Sequence, residues 1–426
     1  MKLPIITRDE VKEDFMLRAE KDIVKVTATA RSVVEKVKNN GDKAVLEYTK
    51  AFDNVELKAI EVSKEEFKRA YDEIDESLFN AIQRAYKNIK AFHENQKPEG
   101  FRMEVEPGVE VSRRVIPVDR AGLYVPGGKA VYPSVMLMLA VPAKVAGVRE
   151  VVVCTPPQEE GNLDVASLVA ADICGVDRLF KVGGVQAIAA MAYGTESIPR
   201  CDVIAGPGGP YVSAAQRIVK NDVRIDFPPG PSEGMVIADK FANPKFVAAD
   251  VLSEAEHGPD SAAVLVTDSQ ELALNVQKEY YQMMEELDEV RKGYVLENMK
   301  KYSAIVLCEN MNEAIDFVNE YAVEHLVINT KNPEETLKKL TTAGTYCLGQ
   351  YSPITAGNFA AGPNAILPTG RFGRMFSGVS VDTFVKKPTI EKLSKEGLKS
   401  LRKTITTLSD FEGFPAHSNS VDVRFE

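Results

Sequence analysis

From about position 121 to position 348, short apolar runs alternate with helix-length segments, and no other feature of the chain constrains its fold as strongly. The first series of predicted strands is Ala121–Pro126, Glu150–Cys154, Arg178–Val182 and Asp202–Ala205. Helices are expected between and after them at Ser134–Ala146, around Leu163–Cys174, at Gln186–Tyr193 and from about Pro210 to Val219. A second series of strands, Gly234–Ala238, Ala262–Val266, Ala304–Cys308, Leu326–Asn329 and Tyr346–Leu348, is separated by expected helices at Pro244–Glu256, Leu272–Lys292, Asn312–Tyr321 and Pro333–Leu340. The strands are continuously apolar, as strands covered on both faces are, whereas strands with one wet face alternate. Regular strand–helix alternation of this kind builds parallel sheets. The expected fold class is therefore α/β, with two doubly wound units in tandem. No residue-level repeat links them.

The flanks read differently. From about Glu10 to Lys97 the chain is highly charged, and Ile23, Val26, Val33, Val34 and Val37 recur at helical spacing, as do Leu78, Ile82, Ala85 and Ile89. Two or three amphipathic helices are predicted there. Tyr351–Gly378 is rich in Gly and Pro without periodicity, which in a compact domain marks a functional or a disordered loop. Ile390–Leu408 reads as a last amphipathic helix, followed by a short polar tail.

Composition narrows the possible functions. With 62 acidic and 52 basic side chains the formal net charge is −10, which argues against a nucleic-acid surface. No apolar run approaches the ~18 residues that a membrane-spanning helix needs. Cys154, Cys174, Cys201, Cys308 and Cys347 are scattered without paired spacing, so neither a disulfide framework nor a zinc ribbon is encoded, and a cytoplasmic location is expected. Only four histidines are present, His93, His257, His325 and His417, so imidazole chemistry has few possible seats.

Two of the four lie beside glutamates. Asn243-Pro244 is a helix start and Gly258 a stop, which puts Glu254 and His257 three residues apart at one helix end. A carboxylate and an imidazole so spaced can share a divalent ion, yet the same pair also suits a solvated helix terminus. Glu324-His325 sits where a helix hands over to a strand, and could supply one base for water and another for a hydroxyl. The rule that places ligands beyond the carboxyl ends of strands does not cover this pair, because it precedes its strand. Glycine-rich turns at Gly127-Gly128, Gly183-Gly184 and 206–209 could admit a phosphate, but none forms the dinucleotide GxGxxG fingerprint. His417 falls in the polar tail, and His93 is read as structural or solvated.

Longer strings connect these fragments. IDFPPGPSEGMVIAD from Ile225, ANPKFVAADVLSEAEHGPDS to Ser261, GLYVPGG at Gly122–Gly128, VGGVQAIAAMAYGTESIP at Val182–Pro199, EHLVINT at Glu324–Thr330, ILPTG at Ile366–Gly370, LSKEGLKSL at Leu393–Leu401 and PAHSNSV at Pro415–Val421 together resemble the histidinol dehydrogenase family, in order along essentially the whole chain. The resemblance implies an NAD- and Zn²⁺-dependent oxidation of a primary alcohol to a carboxylate through an aldehyde, with two NAD⁺ per substrate. It implies metal ligands Glu254, His257, Asn358 and His417, a catalytic pair Glu324 and His325, substrate contacts Ser134, Ser232 and Glu412, and cofactor contacts Tyr124, Gln186 and Gly209. It also implies a homodimer in which the tail residues Glu412 and His417 complete the partner subunit's site. The domains it implies are a helical region at 1–120 packing on the second α/β unit, incomplete Rossmann-like units at 121–231 and 232–380, and a swapped C-terminal helix and tail at 381–426.

Four positions depart from the family pattern. Glu254 replaces a glutamine ligand and Asn358 an aspartate, so the ligand set keeps one negative charge and four N/O donors suited to Zn²⁺. Gly209 replaces an asparagine used for the cofactor, and Ala365 a substrate-contacting histidine. Losing that histidine leaves another small polar alcohol, such as a sulfonated diol, as an alternative substrate to histidinol. A zinc-binding homologue without catalysis is the alternative from outside enzymology.

Overall fold

The expected alternation resolves into two parallel sheets with the same strand order. The computed structural model describes residues 2–18, 20–128, 130–227 and 230–426. The first sheet runs Arg178–Lys181, Glu150–Thr155, Arg120–Tyr124, Val203–Ala205, Arg224–Ile225, all parallel. In order of appearance that is 3-2-1-4-5. The second runs Ala304–Leu307, Ala262–Thr267, Glu233–Ala238, His325–Asn329, Thr345–Leu348, which is again 3-2-1-4-5, and Ile5–Thr7 adds a parallel edge strand beside Ala304–Leu307. In each, the chain starts in the middle, winds one way and then reverses, as in doubly wound folds. The internal duplication is one of topology.

Both faces of both sheets are buried, which explains the unbroken apolar strands. Leu123, Val151, Val153 and Val203 face one core of the first sheet, and Val152, Cys154, Phe180 and Ile204 face the other. In the second sheet Val236, Leu265, Ile305 and Val327 face one core while Met235, Val264, Val306 and Ile328 face the opposite one. Helices Pro244–Ala255 and Gln270–Glu285 cover the first of these faces and Met311–Tyr321 the second.

The N-terminal helices correct one expectation. Glu20–Asp53, kinked at Gly41, packs on helices Gly184–Tyr193 and Pro210–Val219, while Lys64–Glu73 and Glu76–Glu94 pack on helices of the opposite face. All three therefore cover the first sheet, while the stretch before them, from Leu3 to Arg18, joins the second. An amphipathic stripe shows that a face is buried but carries no address for its partner.

By contacts the chain divides into two units, Met1–Gln96 with Val118–Phe384, and Lys97–Pro117 with Val385–Glu426. The smaller unit thus takes in a stretch expected to belong with the N-terminal helices. It holds an antiparallel sheet of Phe101–Glu106, Val109–Arg113 and Thr389–Leu393, and helices Lys395–Phe411 and Pro415–Asp422. The predicted helix at Ile390 begins later because Ser394 caps it, accepting the Gly397 N–H at 3.0 Å, while Thr389–Leu393 pairs as a strand. Asp288 likewise splits the long helix expected to Lys292 by capping a new one at Glu289–Asn298.

His93 is fully buried on helix Glu76–Glu94. Its Nδ1 lies 2.6 Å from Gln96 Oε1 and its Nε2 3.3 Å from Asn364 Nδ2. Asn364 is oriented by donating to Met138 O and accepting from Ile366 N–H, so Nε2 faces a donor and the neutral ring is the form that fits. Burial correspondingly lowers the His93 pKa from the ordinary 6.5, opposed by the Gln96 bond. The stability linked to this ring is complete above pH 6.5 and is lost as pH falls from there through the lower native value. The loss of unfolding free energy between neutral and mildly acidic pH, read by urea titration, is expected to be smaller in His93→Gln than in wild type; equal losses would contradict this.

Candidate active site

Register assembles the site. Pairing of Glu233–Ala238 with His325–Asn329 sets Gly234 opposite His325, so the Ser232-Glu233 and Glu324-His325 dipeptides arrive side by side at the amino-terminal edge of the second sheet. Helix Pro244–Ala255, started by the Asn243 side chain on Lys245 N–H, ends at the same edge and delivers Glu254 and His257. Gly234 makes room for this: a Cβ there would overlap the Glu254 Cγ. Glu254 is 1% exposed, and the His257 side chain is 40% exposed.

The Ser232 hydroxyl stands between two carboxylates, 2.8 Å from Glu254 Oε2 and 3.4 Å from Glu324 Oε2. Glu324 Oε2 also accepts the Glu233 N–H at 2.9 Å. His325 Nδ1 lies 3.5 Å from Glu324 Oε2 and 4.0 Å from Glu254 Oε2, and His257 Nδ1 is 4.0 Å from Glu254 Oε2. Both His325 ring nitrogens are buried without a hydrogen bond. Burial by itself lowers the His325 pKa, but Glu324 and then Glu254 oppose and outweigh it, raising the net value to about 9. The two carboxylates thus create a buried pocket of field that favours positive charge.

Two further oxygens are left without partners in this neighbourhood. Glu254 Oε1 is one, and Asn358 Oδ1 is the other, on the helix Ile354–Phe359 that packs against helix Pro244–Ala255. Buried polar atoms are normally satisfied, so such orphans ask for a ligand. Among the described residues no three His, Cys, Asp or Glu side chains form a metal cluster by themselves. The set expected from the sequence also includes an amide, Asn358, and His417. His417 and Glu412 belong to the smaller unit and are exposed there, the first in helix Pro415–Asp422 and the second capping helix Lys395–Phe411. Ser134 opens helix Pro133–Ala146 and is partly buried. Ala365 is half-buried with its N–H on Met138 Sδ.

The residues expected to hold a cofactor lie on the first sheet at its carboxyl edge. Tyr124 ends the central strand, and its hydroxyl accepts the Gly184 N–H at 3.0 Å. Burial pushes this phenol up to about 12, so it stays neutral. Gln186, in the first turn of helix Gly184–Tyr193, is buried with Oε1 unpartnered. Gly209 caps helix Pro210–Val219 over open space. Between them, Gly206 (φ +139°) comes so close to the Tyr124 carbonyl that any Cβ would overlap it. Tyr124 and Gly206 flank the point where the chain reverses direction, the usual ligand crevice of such sheets.

Sequence reasoning missed Glu233, which is fully buried and contributes the N–H that holds Glu324. Its place beside Ser232 in the PSEG string is the only signal it gives. It also missed Arg18, which grips Glu233.

This geometry sits in a chain that matches the histidinol dehydrogenase family model over residues 16–425. The chain belongs to the histidinol dehydrogenase family. It is 44% identical to the histidinol dehydrogenase of Methanothermobacter thermautotrophicus over 96% of this chain and 95% of that one. It is 45% identical to that of Bacteroides thetaiotaomicron over 93% and 92%. The crystal structure of histidinol dehydrogenase from Elizabethkingia anophelis superposes with a TM-score of 0.91 at 38% identity, covering 99% of this chain and 98% of that one. The chain is accordingly an oxidoreductase enzyme of this type, and its mixed α/β architecture is that of the family.

The Gly234 contact can be tested directly. Gly234→Ala is expected to destabilise by about 1–3 kcal/mol through overpacking against Glu254. Gly293→Ala, a helical glycine with nothing within 4 Å of its Cβ, is expected to stabilise by up to ~1 kcal/mol. Denaturant midpoints of the two variants check both; a neutral Gly234→Ala would remove the close approach from the account.

Proposed function

We propose that this enzyme oxidises L-histidinol to L-histidine through a bound aldehyde, using two NAD⁺ and a resident Zn²⁺. The observation that carries this reading is the buried His325 ring, unpartnered at both nitrogens, between the carboxylates of Glu324 and Glu254. The donor set fits a divalent cation. Glu254 Oε1 and Asn358 Oδ1 are buried and unsatisfied, His257 adjoins Glu254, and all are N/O donors that zinc accepts. His417 would complete the set from a second copy of the chain, as Glu412 would complete the substrate contacts. Exposed Leu408, Phe411 and Phe414 around those residues support an interface there.

When bound, Zn²⁺ supplies a Lewis acid whose charge opposes the carboxylates that raise His325, and NAD⁺ supplies the hydride acceptor. The protein's groups move the protons. Neutral His325 takes the hydroxyl proton as the first hydride leaves, giving the aldehyde. Glu324, held by the Glu233 N–H, takes a proton from the water that adds to the aldehyde carbon. His325, after passing its first proton on to solvent, takes a hydroxyl proton of the hydrate as the second hydride leaves. One alcohol and one water become a carboxylate, with two hydrides and three protons released. Ser232 and Ser134 orient the substrate, and Tyr124, Gln186 and the open backbone at Gly209 receive the dinucleotide at the carboxyl edge of the first sheet.

A second reading, oxidation of another small polar alcohol such as a sulfonated diol, is favoured by one residue. Ala365 offers no hydrogen bond where an imidazole would recognise substrate, and a missing polar partner can shift discrimination strongly. Saturable turnover of histidinol in preference to a panel of such alcohols supports the first reading; the reverse preference supports the second. With the preferred substrate, His325→Ala and Glu324→Gln are each expected to lower kcat by ~10²–10⁴-fold. Chelation should abolish turnover and Zn²⁺ should restore it. Near-normal turnover by either variant would contradict the assigned roles.

A further inference from the structure

Arg18 lies far from the site in sequence, between the first strand and the long N-terminal helix, yet its side chain is buried at the site's back wall. It forms a fork on Glu233, with Nε 2.5 Å from Oε1 and Nη2 2.8 Å from Oε2. Its remaining N–H groups donate to Met16 O at 3.3 Å, to Tyr321 O at 3.1 and 3.2 Å and to Ala322 O at 3.5 Å. The guanidinium plane also lies over the Tyr321 ring, 3.9 Å from its centroid. Arg18 therefore ties together both chain segments that fix Glu324. One is the Glu233 peptide, whose N–H holds the Glu324 carboxylate at 2.9 Å. The other is the Tyr321–Ala322 turn that leads into Glu324, where Ala322 itself has a positive φ of 51°. Glu233 Oε1 additionally accepts Gly370 N–H at 2.8 Å, bringing in a third segment.

Resting on the role given to Glu324 above, we infer that Arg18 is a positioning residue, which sets the Glu324 carboxylate by bracing the Glu233 peptide and the 321–322 turn. Stability alone does not account for the arrangement. A buried ion pair is often no more stabilising than packed apolar side chains, so its presence calls for another reason. Arg18 also adopts φ 53°, a backbone region unfavourable for any residue with a Cβ. Backbone strain of this kind persists where the surroundings over-determine it and gathers at functional sites. The guanidinium is the side chain suited to the task, since it delivers two parallel bonds to a carboxylate and still has donors for carbonyls. A lysine would keep the charge and lose the fork.

The test uses the full-length, zinc-loaded enzyme with Arg18→Lys, Arg18→Met and Glu233→Gln. For folded protein, kcat with NAD⁺ and histidinol is expected to fall ~10–100-fold while KM changes little, as for partners that orient an active group from behind. Arg18→Lys should retain more activity than Arg18→Met, and added guanidinium should partly restore Arg18→Met. Thermal midpoints measured alongside separate this from a structural role, which would lower the midpoint and leave kcat per folded molecule unchanged. A crystal structure of Arg18→Met supplies a readout independent of substrate: Glu324 is expected to leave the Glu233 N–H. Unchanged kcat in the folded variants, or Glu324 still on that N–H, overturns the inference. If wild type turns over no histidinol, the substrate assignment fails and the crystal structure alone decides the positioning.

Discussion

The structure depends on one strand pairing. Parallel register between Glu233–Ala238 and His325–Asn329 sets Gly234 against His325, and from that single alignment the Glu233 N–H reaches the Glu324 carboxylate. A slip of one residue would turn every side chain of one strand to the other face, burying the wrong groups and dispersing the acids. Close side-chain packing on both faces makes that slip costly, so the same interactions that stabilise the second sheet also fix the site's geometry. Gly234 adds the last constraint, because only a residue without a Cβ lets Glu254 lie against this pair.

In the proposed reading, two sheets that share one strand order are used at opposite edges. The first follows the general rule for doubly wound sheets, presenting Tyr124, Gln186 and the Gly206 turn beyond the carboxyl ends of its strands. The second gathers its ionisable groups where strands begin and helix Pro244–Ala255 ends. At a helix carboxyl end the carbonyls carry partial negative charge, which adds to Glu254 and Glu324 in favouring a cation. Repetition of topology thus did not bring repetition of chemistry. One edge suits an anionic dinucleotide beside glycine turns, the other a cation and a proton acceptor.

Much of the fold was legible because its strongest signals are local. Strand–helix alternation, the Asn243-Pro244 start and the continuous apolar strands each arise from short-range physics, and the two sheets formed where they were expected. The packing partner of the N-terminal helices was not legible, since Ile82, Ala85 and Ile89 mark a buried face without naming what covers it. Residues within a few positions of one another, such as Glu254 and His257 or Glu324 and His325, could be paired from sequence. Arg18 and Glu233 could not, because 215 residues separate them and an arginine in a charged N-terminal stretch looks like any solvated one. Capping decided the remaining differences: Ser394 and Asp288 each start a helix where periodicity alone ran two elements together.

The proposed chemistry makes one demand that other arrangements of the same residues do not. A site with a proton acceptor for the hydroxyl and a separate carboxylate for water should carry its substrate through both oxidations before release. The direct measurement is the amount of NADH formed per molecule of L-histidinol consumed at completion by the purified, zinc-loaded enzyme. Two NADH per substrate, with histidine as product, is the predicted result. One NADH per substrate with aldehyde released, or no NADH at all, would contradict the account.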